Sequence, residues 1–174
     1  MRHAIAFSCL GLLLLAGPAV ADFQTATFTS TPGMTIPDSP GGAGTLVTSS
    51  MQVDLDHYIS EIRVYIDVAI VDWSSDLRIW VISAWDTQVE LFFIGEGGEP
   101  ASNPAGWYPT DFTPHEDMTQ WHGEGAGGSW TIACQDWSQG GGDSVLNEWR
   151  VEIGYDDAVA AEAHSLSSIK ALFD

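Results

Sequence analysis

Gly128-Ser129-Trp130-Thr131-Ile132-Ala133-Cys134-Gln135-Asp136 decides the fold class, together with the glycine turn Gly140-Gly141-Gly142-Asp143 and the run Leu146-Asn147-Glu148-Trp149-Arg150-Val151-Glu152-Ile153 that follows. In the first run Trp130, Ile132 and Cys134 share one side. Side chains of an extended chain alternate between faces, so this pattern is that of a half-buried strand. The acidic glycine turn reverses the chain, and the second run forms a closing strand. Working outward, Ile62, Val64, Ile66, Val68 and Ile70 alternate with Arg63, Tyr65, Asp67 and Ala69. Leu77, Ile79 and Val81 alternate next, then Val89, Leu91 and Phe93, with a hairpin loop around Ala84-Trp85-Asp86.

The remaining chain adds weaker strands. Thr45 to Val53 can be extended, as can Thr25 to Thr29 in a polar lead-in. Gly95 to Asp117 is rich in Gly, Pro and acids and carries one short strand around Trp107 to Phe112. About eight short strands with turn signals between them and no long helix predict an all-β sandwich or jelly roll.

The two ends read differently. Arg2 and His3, the apolar run Ala4 to Ala16 and the small-residue site Ala19-Val20-Ala21 predict a signal peptide over 1–21. The run is too short to span a bilayer, so the product is expected to be exported, soluble and without a transmembrane segment. Residues 22–34 form the lead-in, 35–155 the sandwich and 156–174 an acidic, Ala-rich tail. In that tail Leu166, Ile169, Leu172 and Phe173 fall at helical spacing, and a free helix this short is marginal in water. Once the leader is removed, Cys134 has no cysteine to pair with. It is expected to be a buried, inert thiol.

Twenty-four acidic residues against five basic ones give a formal net charge of −19. Phosphate binding needs clustered Lys and Arg, so a nucleic-acid partner is excluded. So anionic a surface repels itself unless bound divalent cations or a high-salt habitat relieve it. His57, His115, His122 and His164 show no zinc spacing. Gly127-Gly128-Ser129-Trp130-Thr131 lacks the last glycine of a nucleophile elbow.

Taken in order, Ile36-Pro37-Asp38, the strand Ile62 to Ile70, Asp76-Leu77, Trp130 to Asp136 and Leu146 to Ile153 resemble the P domain. This β jelly roll, with a galactose-binding-like fold, follows the catalytic domain in proprotein convertases and related subtilisin-like serine proteases. The likeness covers roughly Thr35 to Tyr155. Asp72-Trp73 stands where the family commonly has His, and Ser83-Ala84-Trp85-Asp86-Thr87 replaces its Ser-Pro-x-Gly-Thr turn. The stretch before Ile36 is too short to hold the protease half. The resemblance therefore implies a non-catalytic accessory module, with a subtilisin-like protease or another exported protein as partner.

Three constellations are expected to carry function. The family fold would bring the turns at Asp76, Asp136 and Asp143 towards one end of the barrel, where carboxylates and loop carbonyls suit calcium. Strand alternation puts Trp80, Ile82, Phe92 and Ile94 on an outward face, with Arg78 opposite Phe92 and Trp80 opposite Glu90. An apolar patch of that kind marks a partner surface. Loop tryptophans, Trp85 and Trp107 above all, could stack on sugar rings, which makes a polysaccharide the alternative partner.

Overall fold

The computed structural model describes residues 22–69, 76–93 and 105–157. They form nine strands: β1 Phe23–Ser30, β2 Met34–Ile36, β3 Val47–Val53, β4 Glu61–Ala69, β5 Leu77–Ile82, β6 Gln88–Phe92, β7 Ala105–Tyr108, β8 Gly128–Asp136 and β9 Ser144–Asp156. A 3-10 turn, Met118–Trp121, precedes β8. All pairings are antiparallel. One sheet has the order β1-β9-β4-β7, with β2 also on β9; the other is β3-β8-β5-β6. The predicted sandwich is thus two antiparallel sheets face to face. The predicted signal peptide and C-terminal helix lie outside the described residues.

The two runs that decided the fold class become the organising strands. β9 is 13 residues long, which lets it pair with β1 and β2 along one side and β4 along the other. β1 takes up the lead-in: Phe23 to Ser30 pair with Asp156 to Trp149. The sheet therefore begins well before Thr35. β4 keeps the alternation read from its sequence, with Ile62, Val64, Ile66 and Val68 buried.

The core lies between the sheets. Trp130, Trp149, Ile66, Ile132, Leu146 and Ile153 are fully buried. Burying an indole also buries its N–H, which must find an acceptor. Trp130 Nε1 donates to the Ala126 carbonyl at 2.9 Å, and Trp121 meets Trp130 edge-on at 5.5 Å. Trp149 Nε1 reaches across to Ser49 Oγ at 3.4 Å, tying β9 of one sheet to β3 of the other. Cys134 is free and buried, as expected. Burial pushes its thiol up to about 12, so it carries no thiolate at neutral pH.

Trp130→Ala removes a fully buried indole from the contact between the sheets. It is expected to cost about 3–5 kcal/mol, read as a lower urea midpoint with the slope unchanged.

Candidate functional site

The expected aromatic face on β5 and β6 is built differently from strict alternation. Trp80 does face Glu90, but Ile79 pairs with Phe92 and the register shifts between Ile79 and Trp80. Leu91 is the extra residue of a bulge, and a bulge reverses which face later residues occupy. Phe92 therefore packs against the core instead of pointing outward. Phe93, expected inward, takes the outer place beside Arg78, at 5.0 Å from its guanidinium carbon. Phe92 thus lies opposite Ile79 and not Arg78, and on the other side of β5 Arg78 faces Gln135 of β8. Ile82 is half-buried, and Ile94 lies outside the described residues.

Trp80 is not an open surface. It is 9% exposed, and the Arg78 guanidinium sits over its ring at 4.5 Å. Arg78 in turn grips Glu90 with two bonds, Nε to Oε1 at 2.7 Å and Nη2 to Oε2 at 3.1 Å. Glu90 is 5% exposed, so this bidentate pair is held in a largely dry setting between rings. The segment after β7 closes the edge: His115 N–H and Glu116 N–H donate to the Leu91 and Glu90 carbonyls. His115 also stacks on Phe93 at 4.7 Å.

Two of the three aspartates expected to hold calcium accept turn amides. Asp143 Oδ1 accepts the Asp38 N–H at 3.0 Å, and Asp136 Oδ1 accepts the Ser138 N–H at 2.9 Å. Among the described residues no three His, Cys, Asp or Glu side chains are grouped to hold a metal ion. Asp38 and Asp76 instead act on Asp136 as like charges. Burial first, then those two carboxylates, raise the Asp136 carboxyl above the usual range, while the Ser138 and Ser39 amides pull it back.

The two loop tryptophans part company. Trp107 is half-buried on β7, with the Arg63 guanidinium over its ring at 5.1 Å and Tyr65 beside it at 5.4 Å. It belongs to the five-stranded sheet, whereas Trp85 stands on the β5–β6 hairpin of the other. Trp85 is 65% exposed. Its ring is nevertheless pinned, because Nε1 donates to the Gly125 carbonyl at 2.8 Å.

The hairpin beneath Trp85 is built to hold still. Ser83 N–H donates to Thr87 O at 3.0 Å, Asp86 N–H to Ser83 O at 3.1 Å, and Trp85 N–H to Ser83 Oγ at 3.2 Å. The Glu124 carboxylate clamps the turn from outside. It accepts the Ser83 hydroxyl at 2.7 Å and also the Thr87 hydroxyl. Trp121 Nε1 holds the Thr87 carbonyl from within at 3.0 Å. Gly128, at φ 131, passes so close that a Cβ there would sit 2.6 Å from the Ala84 Cβ. Only glycine serves in that place.

Trp85 divides two cavities. One, of about 490 Å³, is lined by Ser83, Asp86, Ser129 and Thr131 among others; its neighbour, of about 280 Å³, is lined by Gln52, Asp54, Asp56 and His57. Tyr58, equally exposed at 65%, pairs through its backbone with Gly125, the residue that anchors the Trp85 indole. Sequence reading singled out Trp85 but not Tyr58, Asp54, Asp56 or Glu124. The signal that could have found Glu124 is a carboxylate near two hydroxyl-bearing turn residues, and it becomes visible only once residues about forty apart are brought together.

No protein-family model matches the chain, and no curated protein matches it in sequence. In structure it is similar to a chain in the complex of the Aeromonas sobria serine protease and its chaperone, at 12% identity and TM-score 0.55, over 78% of this chain and 27% of that one. The serine protease of Aeromonas sobria itself gives 11% identity and TM-score 0.55, over 78% and 28%. The chain thus spans about a quarter of the length of these proteins. At such identity the likeness establishes a shared sandwich. FlhE is also similar, at 12% identity over 76% of this chain and 96% of that one, with a TM-score of 0.48.

Two variants test the electrostatics and the clamp. An aspartate raised in the folded state binds its proton more tightly there than in the unfolded chain. Its contribution is therefore most favourable below the ordinary aspartate range and is lost as pH rises from there through the raised folded-state value. Asp136→Asn keeps the acceptor for Ser138, so it is expected to raise the thermal midpoint at pH 7. The gain over the parent should shrink as pH falls towards 4. Glu124→Ala strips two hydroxyls of their acceptor, at an expected cost of about 1–3 kcal/mol. The Trp85 indole N–H should then exchange faster with deuterium.

Proposed function

We propose that this chain is an exported, non-catalytic accessory module of the P-domain kind that binds a partner protein, with a subtilisin-like serine protease as the first candidate. The observation that carries the reading is the sandwich itself. Its fold is shared with about a quarter of the length of the Aeromonas sobria serine protease, as an accessory domain beside a catalytic one would be. Order in the strands, joined to the P-domain resemblance of Ile36-Pro37-Asp38, Trp130 to Asp136 and Leu146 to Ile153, supports the same assignment.

The surface suits association rather than chemistry. The turn that presents Trp85 is fixed by Glu124, Trp121 and Gly125, so binding costs little ordering of that loop. A net charge of −19 accelerates encounter with a cationic surface and discourages anionic ones. In the P-domain family the module supports the folding and stability of its protease. The same role is proposed here in trans, from a separate chain.

The test is to mix the purified chain with the subtilisin-like protease exported by the same cell and follow the protease's thermal midpoint. A partner that binds only the folded state, present at a hundred times its dissociation constant, adds about 2.7 kcal/mol. A concentration-dependent rise is expected, with no hydrolysis by the chain alone. Peptide cleavage by the chain itself, abolished by a serine-directed inhibitor, would overturn the non-catalytic assignment. No stabilisation of the protease, with retention on insoluble polysaccharide that is lost in Trp85→Ala, would replace the module with a carbohydrate-binding one.

A further inference from the structure

The three described arginines are each held by the same two-part device, a carboxylate at the guanidinium edge and an aromatic ring at its face. Arg63 bonds Glu152 at 2.9 Å through Nε and lies over Trp107 at 5.1 Å. Arg78 bonds Glu90 and lies over Trp80, with Phe93 and Trp137 close by. Arg150 bonds Glu148 at 2.6 Å and lies over Tyr65 at 4.7 Å. A guanidinium is planar, permanently charged and weakly hydrated, which is why it accepts both partners at once.

Trp85 offers an exposed ring with carboxylates in the cavities beside it. The indole edge is fixed on Gly125, so its orientation is set before any ligand arrives. Asp86 lines the cavity on one side of the ring, and Asp54 and Asp56 line the cavity on the other. The arginines of the fold are already engaged elsewhere, over Trp107, Trp80 and Tyr65. Charge complementarity, locally and over the whole chain, selects a cation as occupant. A neutral sugar would use the ring but would bring no charge to the carboxylates beside it.

We infer that Trp85, flanked by Asp54, Asp56 and Asp86, receives an arginine side chain projecting from the partner protein. This deepens the proposed function, since it rests on the partner's being a protein. It also names the site on this chain and the residue type on the other. Arginine and tryptophan are the residues that concentrate energy in protein interfaces.

The probe is a capped Gly/Ser peptide carrying two arginines, compared with its lysine and citrulline counterparts and with a panel of neutral oligosaccharides. Binding to the full chain is followed at about 0.15 M salt, where long-range charge effects are screened beyond about 8 Å. The arginine peptide is expected to saturate and to shift the Trp85 indole N–H resonance. The citrulline peptide, of the same shape without the charge, should bind at least tenfold more weakly. Trp85→Ala leaves the net charge untouched and should weaken the arginine peptide about tenfold. Trp85→Phe should fall between, and it carries the test should the alanine variant not fold. Asp54→Asn with Asp56→Asn should weaken binding several-fold.

Equal affinity for arginine and citrulline peptides would overturn the inference. So would unchanged arginine binding in both Trp85 variants, which would mean that the overall charge alone attracts the peptide. Saturable oligosaccharide binding that depends on Trp85, with no response to arginine, would overturn it in favour of a glycan. Failure of the Trp85 site and failure of the module separate cleanly. Protease association that survives Trp85→Ala overturns the Trp85 site and leaves the module standing. Arginine-peptide binding without any protease association supports the Trp85 site and removes the protease as partner.

Discussion

Three buried indoles hold this sandwich together, and each must have its N–H answered inside the core. Trp149 is answered by Ser49, Trp130 by Ala126 and Trp121 by Thr87. An unanswered N–H in so dry a place would cost on the order of 1–3 kcal/mol. Each answer therefore fixes a particular piece of backbone. The first joins the sheets. The other two fix the Ala126 segment and the Thr87 end of the β5–β6 turn, and these are the two pieces between which Trp85 stands. The rigidity of the exposed tryptophan is thus inherited from the packing of the buried ones.

A second constraint is charge. With many more carboxylates than cations, most acids cannot find an arginine. The chain gives many of them backbone amides instead: Asp117 takes Thr119, Asp111 takes Trp107, Glu116 takes Glu90, and Asp38 takes Gly140. Turn amides are numerous in a β-sandwich, so this solution scales with the fold. The Thr119 N–H first, then the Thr119 hydroxyl, hold the Asp117 carboxyl below the usual range. The same chain raises Asp136, where burial and two neighbouring carboxylates outweigh the amides. Of the three aspartates expected at a calcium site, Asp136 and Asp143 each accept a turn amide.

What could be read in the sequence was local and periodic. β4, β8 and β9 announce themselves because a core face imposes a period of two, and Trp130, Ile132 and Cys134 were placed on the core face by that rule. β1 is poorer in signal: Thr25, Thr27 and Thr29 are exposed, and its order comes from the length of β9, not from its own residues. The aromatic face failed at one residue. Alternation carries no information about a bulge, so Leu91 exchanged the roles of Phe92 and Phe93. The candidate site was half legible. An exposed loop tryptophan can be guessed from its surroundings in sequence, but Gly125 lies forty residues away from Trp85 and Glu124 lies forty-one from Ser83. Such contacts exist only after the sheet has formed.

The strap at His115 and Glu116 has a consequence for solubility. A strand at the rim of a sheet offers its free amides and carbonyls to any other chain, which is how β proteins polymerise. Here the Leu91 carbonyl and both backbone groups of Glu90 are already bonded to residues of the strap. On that side another molecule finds little ladder to extend. A protein with a fixed, exposed ring on the β5–β6 turn offers little backbone for copies of itself to join along the β6 rim, so that contact there is left to side chains, which can choose their partner, rather than to backbone, which cannot.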